Sequence, residues 1–490
     1  MNCFDYFFED KHNLQKDLIP GNQGSTSYQS IYTRSIKLAY YLNEKIGSGQ
    51  KILLASQNSP FFILAYLGIL KSGNICIPLN PEIEQNNIDF IIEKTQPKLG
   101  FFSELVTRKL EISIDQISET GLLELITNQS PADRPDENFD GEQTAEIIFT
   151  SGSTATPKGV MITHNNIIAN SDSIIQYLKL TENDRIFVVL PFFYCYGQSL
   201  LHTHLRVGGQ LVFNNNFIFL GSTIKNLAHS QCTGFAGVPS HFQILLRKTD
   251  LFRNSEFPYL RYVTQAGGKL HNTFIEEFTK AFPEISFYVM YGQTEATARL
   301  SYLPPDMLKE KTGSLGKGIP GVELKVVDSK GREVIPGKTG EIIAKGKNIM
   351  SGYFNDPEET AKALRNGWLY TGDLATMDED GFIYLTSRKK EIIKVGGKRV
   401  SPKEIEEVIA MLPGVIDCSV EAVEDDLLAE ALKATVVVSE EHQNLSAEGI
   451  RKFCSTKLSK YKIPGIIDIK KNITFSATGK KIKHRLNEYE

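Results

Sequence analysis

KILLASQNSPFFILAYLGILKSGNICIPLN, residues 51–80, is the stretch that sets the fold. Its ends, KILLAS (51–56) and ICIPLN (75–80), are short apolar runs that read as buried strands, and Phe61–Lys71 between them reads as a helix. Strand, helix and strand in succession form the unit of a parallel sheet covered by helices. Upstream, Tyr28–Leu42 has the spacing of an amphipathic helix. Downstream the beat repeats: AEIIFT (145–150), RIFVVLP (185–191), QLVFN (210–214), TGFAGVP (233–239), RYVTQAGG (261–268) and SFYVMYG (286–292) read as strands, mostly with helices between. Several end in Gly, Ser or Pro turns at their carboxyl ends, where open α/β sheets bind ligands.

After about residue 312 the composition shifts to short strands and Gly-rich turns, GVELKVVD (321–328), GEIIAKG (340–346) and GFIYLTS (381–387), which predicts a β-rich subdomain over 312–387. From Glu391 a separate unit begins, with a Gly-Gly turn, a helix over Pro402–Met411, a strand TVVV (435–438) and a basic end. The expected organisation is therefore α/β: a large N-terminal domain of doubly wound sheets, residues 1–387, a small mobile α+β lid, residues 391–490, and a hinge at 388–390.

The 490 residues leave room for about three domains. Hydrophobic content of 41% and charge of 23% are those of a globular chain, and a net charge of -4 argues against a nucleic-acid binder. Six cysteines stand scattered, with no C-x-x-C pair, as in a reduced compartment. The longest apolar run, Phe61–Leu70, is about half the roughly 20 residues that span a bilayer. The opening MNCFDYFFED carries acids where a signal peptide is basic. The expectation is a cytoplasmic protein without a membrane span.

FTSGSTATPKGVMITH, Phe149–His164, reads as a strand, a loop rich in hydroxyls and glycine, a lysine and then a helix start. Backbone N–H groups around Gly152, the hydroxyls of Thr150, Ser151, Ser153 and Thr154, and the charge of Lys158 suit phosphate. The alternative is an ordinary surface loop. It is not a P-loop, because Lys158 lies between Pro157 and Gly159 with no Ser or Thr after it. Gly316–Gly321 satisfies G-x-G-x-x-G, but Pro320 interrupts it and a strand follows, so it reads as a turn. His202 and His204 have no acidic or cysteine neighbour in sequence and read as core or surface histidines rather than a metal pair.

Together with this loop, four further segments in order, MYGQTEAT (290–297), YTGDLA (370–375), SRKKEIIKVGGKRVSPKEIEEV (387–408) and SATGKKIK (476–483), resemble the adenylate-forming superfamily of acyl-CoA synthetases, nonribosomal-peptide adenylation domains and beetle luciferases. GSLGKGIPGVELKVVD (313–328) and GEIIAKGKNIMSGYFNDPEET (340–360) fit between them. The resemblance implies a carboxylic acid joined to the α-phosphate of ATP with release of pyrophosphate, then transfer of the acyl group to a thiol, of CoA or of a carrier-protein phosphopantetheine. It implies that Lys480 bridges carboxylate and α-phosphate, that Glu295 helps hold Mg²⁺, that Tyr291 stacks on adenine, that Thr294 contacts the α-phosphate, that Asp373 accepts from the ribose hydroxyls, and that Arg388 makes a second ribose or phosphate contact. Gly292, Gly267 and Gly268 belong to the same nucleotide-binding set. Lys390 takes the hinge position, and rotation would bring Lys394, Gly396 and Gly397 to the pantetheine arm, although Gly396-Gly397 is equally a hairpin turn. Ala155 stands where the family's loop often has a second glycine, and Ser387 where a glycine is common.

PFFYCYGQS (191–199) matches the family's substrate-pocket segment without the aspartate that pairs an α-amino group, which favours an uncharged acyl or aryl acid. Tyr194, Gly197 and Val238 are expected pocket walls, with the Gly267-Gly268 strand end. Residues 451–485 hold eleven Lys or Arg against one acid, Asp468, a field suited to CoA or to an acidic acyl carrier protein acting in trans; a solvated basic face is the plainer alternative. The rival to an enzyme is a nucleotide-binding regulatory protein that keeps the fold without turnover.

Overall fold

The strand–helix–strand unit of residues 51–80 lies at the centre of the first sheet of the computed structural model, which describes residues 1–21, 26–127, 138–150, 157–388, 391–395, 398–425, 429–442 and 444–470. Lys51–Ala55 runs parallel to Ile75–Leu79, with Leu53 opposite Ile77. The helix between them, Pro60–Lys71, starts on Ser59, whose hydroxyl accepts the Phe62 amide, and has proline at its first position, where a missing N–H costs nothing. Every residue from Phe61 to Leu70 is buried, which explains why this helix is apolar on all faces. Across the sheet the order is Gly352–Tyr353, Lys158–Thr163, Thr144–Thr150, Ile75–Leu79, Lys51–Ala55, Leu99–Phe102, Gln116–Ile117.

One element departs from the expectation. The residues after Lys158 do not begin a helix: Lys158–Thr163 is a strand antiparallel to Thr144–Thr150, with Thr150 opposite Lys158, and the helix starts at His164. Val160 and Ile162 are fully buried on one face of the strand while Met161 between them is half-buried on the other, and the β-branched side chains favour the extended backbone. Thr163 then caps the helix His164–Leu178 in a reciprocal box with Asn166.

The second sheet has five parallel strands, Ser286–Tyr291, Tyr262–Gln265, Gly234–Gly237, Arg185–Val188 and Gln210–Phe213, extended at one edge by the antiparallel Ser301–Leu303 and Lys317–Gly318. Gly316–Gly321 is not all turn as expected: Lys317–Gly318 pairs as a short strand, and only Pro320-Gly321 turns into the strand Val322–Val327. That strand opens an antiparallel sheet with Gly340–Gly346, Trp368–Met377 and Leu364–Arg365, to which Ile383–Arg388 is added along Trp368–Met377. Beyond it lie a hairpin, Ile393–Val395 with Lys398–Val400, the helix Pro402–Ala410, and a sheet of Val415–Asp425, Ala429–Val438 and Ile466–Lys470 around a core that includes Ile405, Ile409, Val436 and Ile450.

The helix Pro239–Arg247 of the second sheet's layer touches this C-terminal unit. Arg247 Nη1 donates to the carbonyls of Ala410, Leu412 and Val415, while Nη2 pairs with Glu277 at 2.6 Å. Gln243 donates to Asp417 at 3.1 Å, and Lys269 pairs with Glu407 at 2.8 Å.

The six cysteines form no disulfide, and among the described residues no helix is long and apolar enough to cross a membrane. His202 is buried between Phe7 and Tyr66, and an acid absent from its sequence neighbourhood comes near in space: Tyr66, whose hydroxyl lies 2.8 Å from His202 Nε2, donates to Glu146 at 3.2 Å, and Gln198 donates to Glu146 at 2.7 Å. Burial pushes Glu146 up to about 7, against the bonds from Gln198 and Tyr66. A carboxyl whose folded pKa exceeds its unfolded value stabilises the fold fully below the unfolded pKa and loses that contribution as pH rises through the folded one. Stability is therefore expected to fall by about 3 kcal/mol from this group between mildly acidic and mildly alkaline pH. Glu146→Gln is expected to flatten that slope, read from urea melts at pH 5 and pH 8; an unchanged slope would assign it elsewhere.

Candidate functional site

Three parallel strands of the second sheet end at one edge. Gly234–Gly237 runs into Val238, Tyr262–Gln265 into Ala266, Gly267 and Gly268, and Ser286–Tyr291 into Gly292 and the short turn Thr294–Ala296. The antiparallel sheet delivers two charges to that edge, because Asp373 and Arg388 face each other across the pair Trp368–Met377 and Ile383–Arg388. Arg388 Nε donates to Asp373 Oδ1 at 3.1 Å, and Tyr291 donates its hydroxyl to Oδ2 at 2.7 Å. Burial pushes the Asp373 carboxyl above its usual range, opposed by the Arg388 charge and the Tyr291 bond, and Asp373 in turn holds Arg388 up. Burial and the neighbouring carboxylate raise the Tyr291 phenol well beyond its ordinary value.

Glu295 faces a second cluster. Tyr353 donates its hydroxyl to Glu295 Oε1 at 2.9 Å, and the Glu295 carbonyl accepts the Met350 amide at 2.9 Å. The Lys158 ammonium lies 5.3 Å over the Tyr353 ring and is bonded to Glu359. Bonds from Lys158 and then Lys362 hold the Glu359 carboxyl down at about 2. The sheet accounts for this meeting: Tyr353 pairs with Val160 beside Lys158, so the hairpin's base and the 340–360 segment share an edge. Tyr353 and Glu359 lie in SGYFNDPEET, a segment whose sequence resemblance carries no role for either, so their part is visible only in three dimensions.

The Thr294 hydroxyl is buried 3.6 Å from Cys195 Sγ at the start of the helix Cys195–Val207. Gly292 is dictated by close approach: a Cβ there would sit 1.9 Å from the Ala298 carbonyl oxygen. Gly292→Ala is accordingly expected to cost about 1–3 kcal/mol and to displace Thr294 and Glu295, detectable as a lower melting temperature together with weaker ATP binding. Wild-type melting and binding would exclude such a displacement.

Residues 8–354 match the AMP-binding enzyme family and residues 404–480 match the AMP-binding enzyme C-terminal domain. The chain belongs to the AMP-binding enzymes. It is 29% identical to a 2-succinylbenzoate–CoA ligase of Bacillus velezensis, over 94% of this chain and 92% of the relative, and 27% identical to a long-chain-fatty-acid–CoA ligase of Bacillus subtilis, over 95% and 90%. Its fold superposes on O-succinylbenzoate coenzyme A synthetase of Bacillus subtilis in complex with AMP, with a TM-score of 0.84 and 25% identity, covering 100% of this chain and 98% of that one.

In this AMP-binding enzyme, Tyr291, Gly292, Thr294, Glu295, Asp373 and Arg388 gather at one strand edge, with Gly267 and Gly268 on the neighbouring turn. Thr150 and Lys158 form the paired base of the hydroxyl-rich loop, whose Ser151, Gly152, Ser153 and Thr154 lie outside the described residues, as do Lys390, Gly396, Gly397, Lys480 and the side chain of Lys394. Of the expected pocket walls, Tyr194 precedes the helix Cys195–Val207 with its ring 6.5 Å from that of Tyr196, and Val238 is fully buried before Pro239–Arg247. Gly197 serves packing: a Cβ there would meet the Pro191 carbonyl oxygen at 2.1 Å.

Proposed function

We propose that this AMP-binding enzyme is an ATP-dependent acid–thiol ligase that converts a carboxylic acid to acyl-AMP and then to the CoA thioester. The observation that carries the reading is the gathering of Tyr291, Asp373 and Arg388 beside Glu295 at the carboxyl ends of the parallel strands. The acid is ionised at neutral pH and needs no general base, so the task is to hold one anion against another in line. One carboxylate oxygen forms a bond to the α-phosphorus, the bond to the bridging oxygen breaks, and pyrophosphate leaves. Lys480 lies between the two anions and offsets the charge that develops there. Asp373 accepts from the ribose hydroxyls, Tyr291 lies against adenine, Thr294 bonds to the α-phosphate, and the loop from Thr150 to Lys158 surrounds the phosphates.

Glu295 fits a magnesium ion as its single protein carboxylate. Its Oε1 accepts from Tyr353 while Oε2 has no partner among the described residues, and among these no group of three His, Cys, Asp or Glu forms a closed metal cage. Such an ion keeps waters and takes phosphate oxygens, and when bound it supplies charge neutralisation on the polyphosphate. For the second step, the unit 391–490 rotates about 388–390, withdraws Lys480 and presents Lys394, Gly396 and Gly397 to the pantetheine. The thiolate sulfur then attacks the acyl carbonyl carbon and AMP departs with the bonding pair. The names of the relatives favour CoA over a carrier protein as acceptor, and the basic 451–485 segment complements CoA phosphates.

Carboxylate-dependent exchange of labelled pyrophosphate into ATP, over fatty, aryl, dicarboxylic and amino acids, tests the first step. Thioester formation with CoA against a phosphopantetheinylated carrier tests the second. Exchange with no acid in the panel would leave the regulatory-protein alternative.

A further inference from the structure

Arg299 is only 2% exposed, yet among the described residues no carboxylate pairs with it. Arg247, whose side chain is buried to a similar degree, pairs with Glu277. What Arg299 does have is weak. Its guanidinium lies 3.9 Å over the Tyr196 ring, Nε donates to Met290 Sδ at 3.3 Å, Nη1 donates to the carbonyl of the adjacent Ala298 at 3.3 Å, and a further neighbour is the uncharged Tyr177 hydroxyl. A buried cation without an anion is costly, and an aromatic face offsets only part of that cost. Its backbone is nonetheless fixed, with the carbonyl accepting from Asn348 at 2.7 Å.

The place of this cation gives it a use. Tyr196 bonds to the Thr264 carbonyl at 2.9 Å, at the carboxyl end of Tyr262–Gln265, and belongs to the helix whose first residue, Cys195, touches Thr294. Met290 points to the face of its strand opposite Tyr291, away from the Asp373 and Arg388 side. Arg299 therefore lies on the other side of the strand end from the nucleotide residues, between that end and the helix Cys195–Val207, near the expected pocket wall Tyr194.

We infer that Arg299 is a specificity-determining residue that receives a second carboxylate on the acid being activated, so that the substrate is a dicarboxylic acid. This rests on the activation reading above, and it departs from the uncharged acid that the 191–199 segment suggests. A guanidinium and a carboxylate match in planar, two-bond geometry, and in a buried setting such a pair discriminates strongly against a tail that leaves the cation alone.

The test is pyrophosphate exchange with the full chain on α,ω-dicarboxylic acids of graded length, aliphatic and aryl, each set against the acid with a methyl group in place of the second carboxylate. The wild type is expected to favour at least one diacid over its methyl-ended partner by roughly 100-fold in kcat/KM. Arg299→Met is expected to erase that ratio, and Arg299→Lys to restore part of it, chiefly through KM. The wild-type comparison decides the matter even if Arg299→Met does not fold. A wild type that prefers the methyl-ended acids throughout, or an Arg299→Met ratio equal to wild type, overturns the inference while leaving acid activation standing. No exchange with any acid overturns both.

Discussion

Glu295→Gln is expected to lower acid-dependent pyrophosphate exchange by about 100- to 1,000-fold without unfolding the chain. Glutamine has the length and the acceptor oxygen to keep the Tyr353 bond, and the Glu295 carbonyl still accepts the Met350 amide, so the local frame survives. What goes is one negative charge facing the polyphosphate. A hard divalent cation loses its protein carboxylate and has to be held by phosphate and water alone. The signature is a steep rise in the magnesium concentration needed for half-maximal exchange, with an unchanged melting temperature. A variant with the wild-type magnesium dependence would remove Glu295 from that role.

Lys480→Ala is expected to abolish the adenylating half-reaction to a similar degree while sparing the thioester-forming half when acyl-AMP is supplied. The reason lies in the charges. In the first step an anion approaches an anion, and removing a cation placed between them exposes the full repulsion in a site sheltered from water. In the second step the nucleophile attacks a carbonyl carbon already activated by its phosphate leaving group, and under the proposed rotation the lysine would be withdrawn. Equal loss of both steps would contradict the exchange of two arrangements about residues 388–390.

Alternating strands and helices were legible in the sequence because each buried strand is a short apolar run between turn residues, as in residues 51–80. Lys158–Thr163 was not, since six residues after a loop carry period two and a helix start equally well until a partner strand is known. The gathering of Tyr291 and Asp373 could be expected from the resemblance but not from spacing, because they are far apart in the chain and meet only through the antiparallel sheet. Glu146 illustrates a third limit. Nothing local marks a strand glutamate as buried, and its partners Tyr66 and Gln198 come from two different helices. Arg299 was invisible for the same reason: an arginine four residues after Glu295 looks like any solvated cation until its surroundings prove apolar.

The contact made by Arg247 bears on the speed of the cycle rather than its chemistry. The rotation proposed for the C-terminal unit would have to release three carbonyls from one guanidinium at the same moment as it parted Gln243 from Asp417 and Lys269 from Glu407. Bonds that break together behave as a detent: under that rotation the unit would dwell in one orientation and then leave it in a single activated event. Turnover would then have a clock set by that escape, one that weakening the Lys269–Glu407 pair with salt would quicken while the bond-making steps kept their own pace.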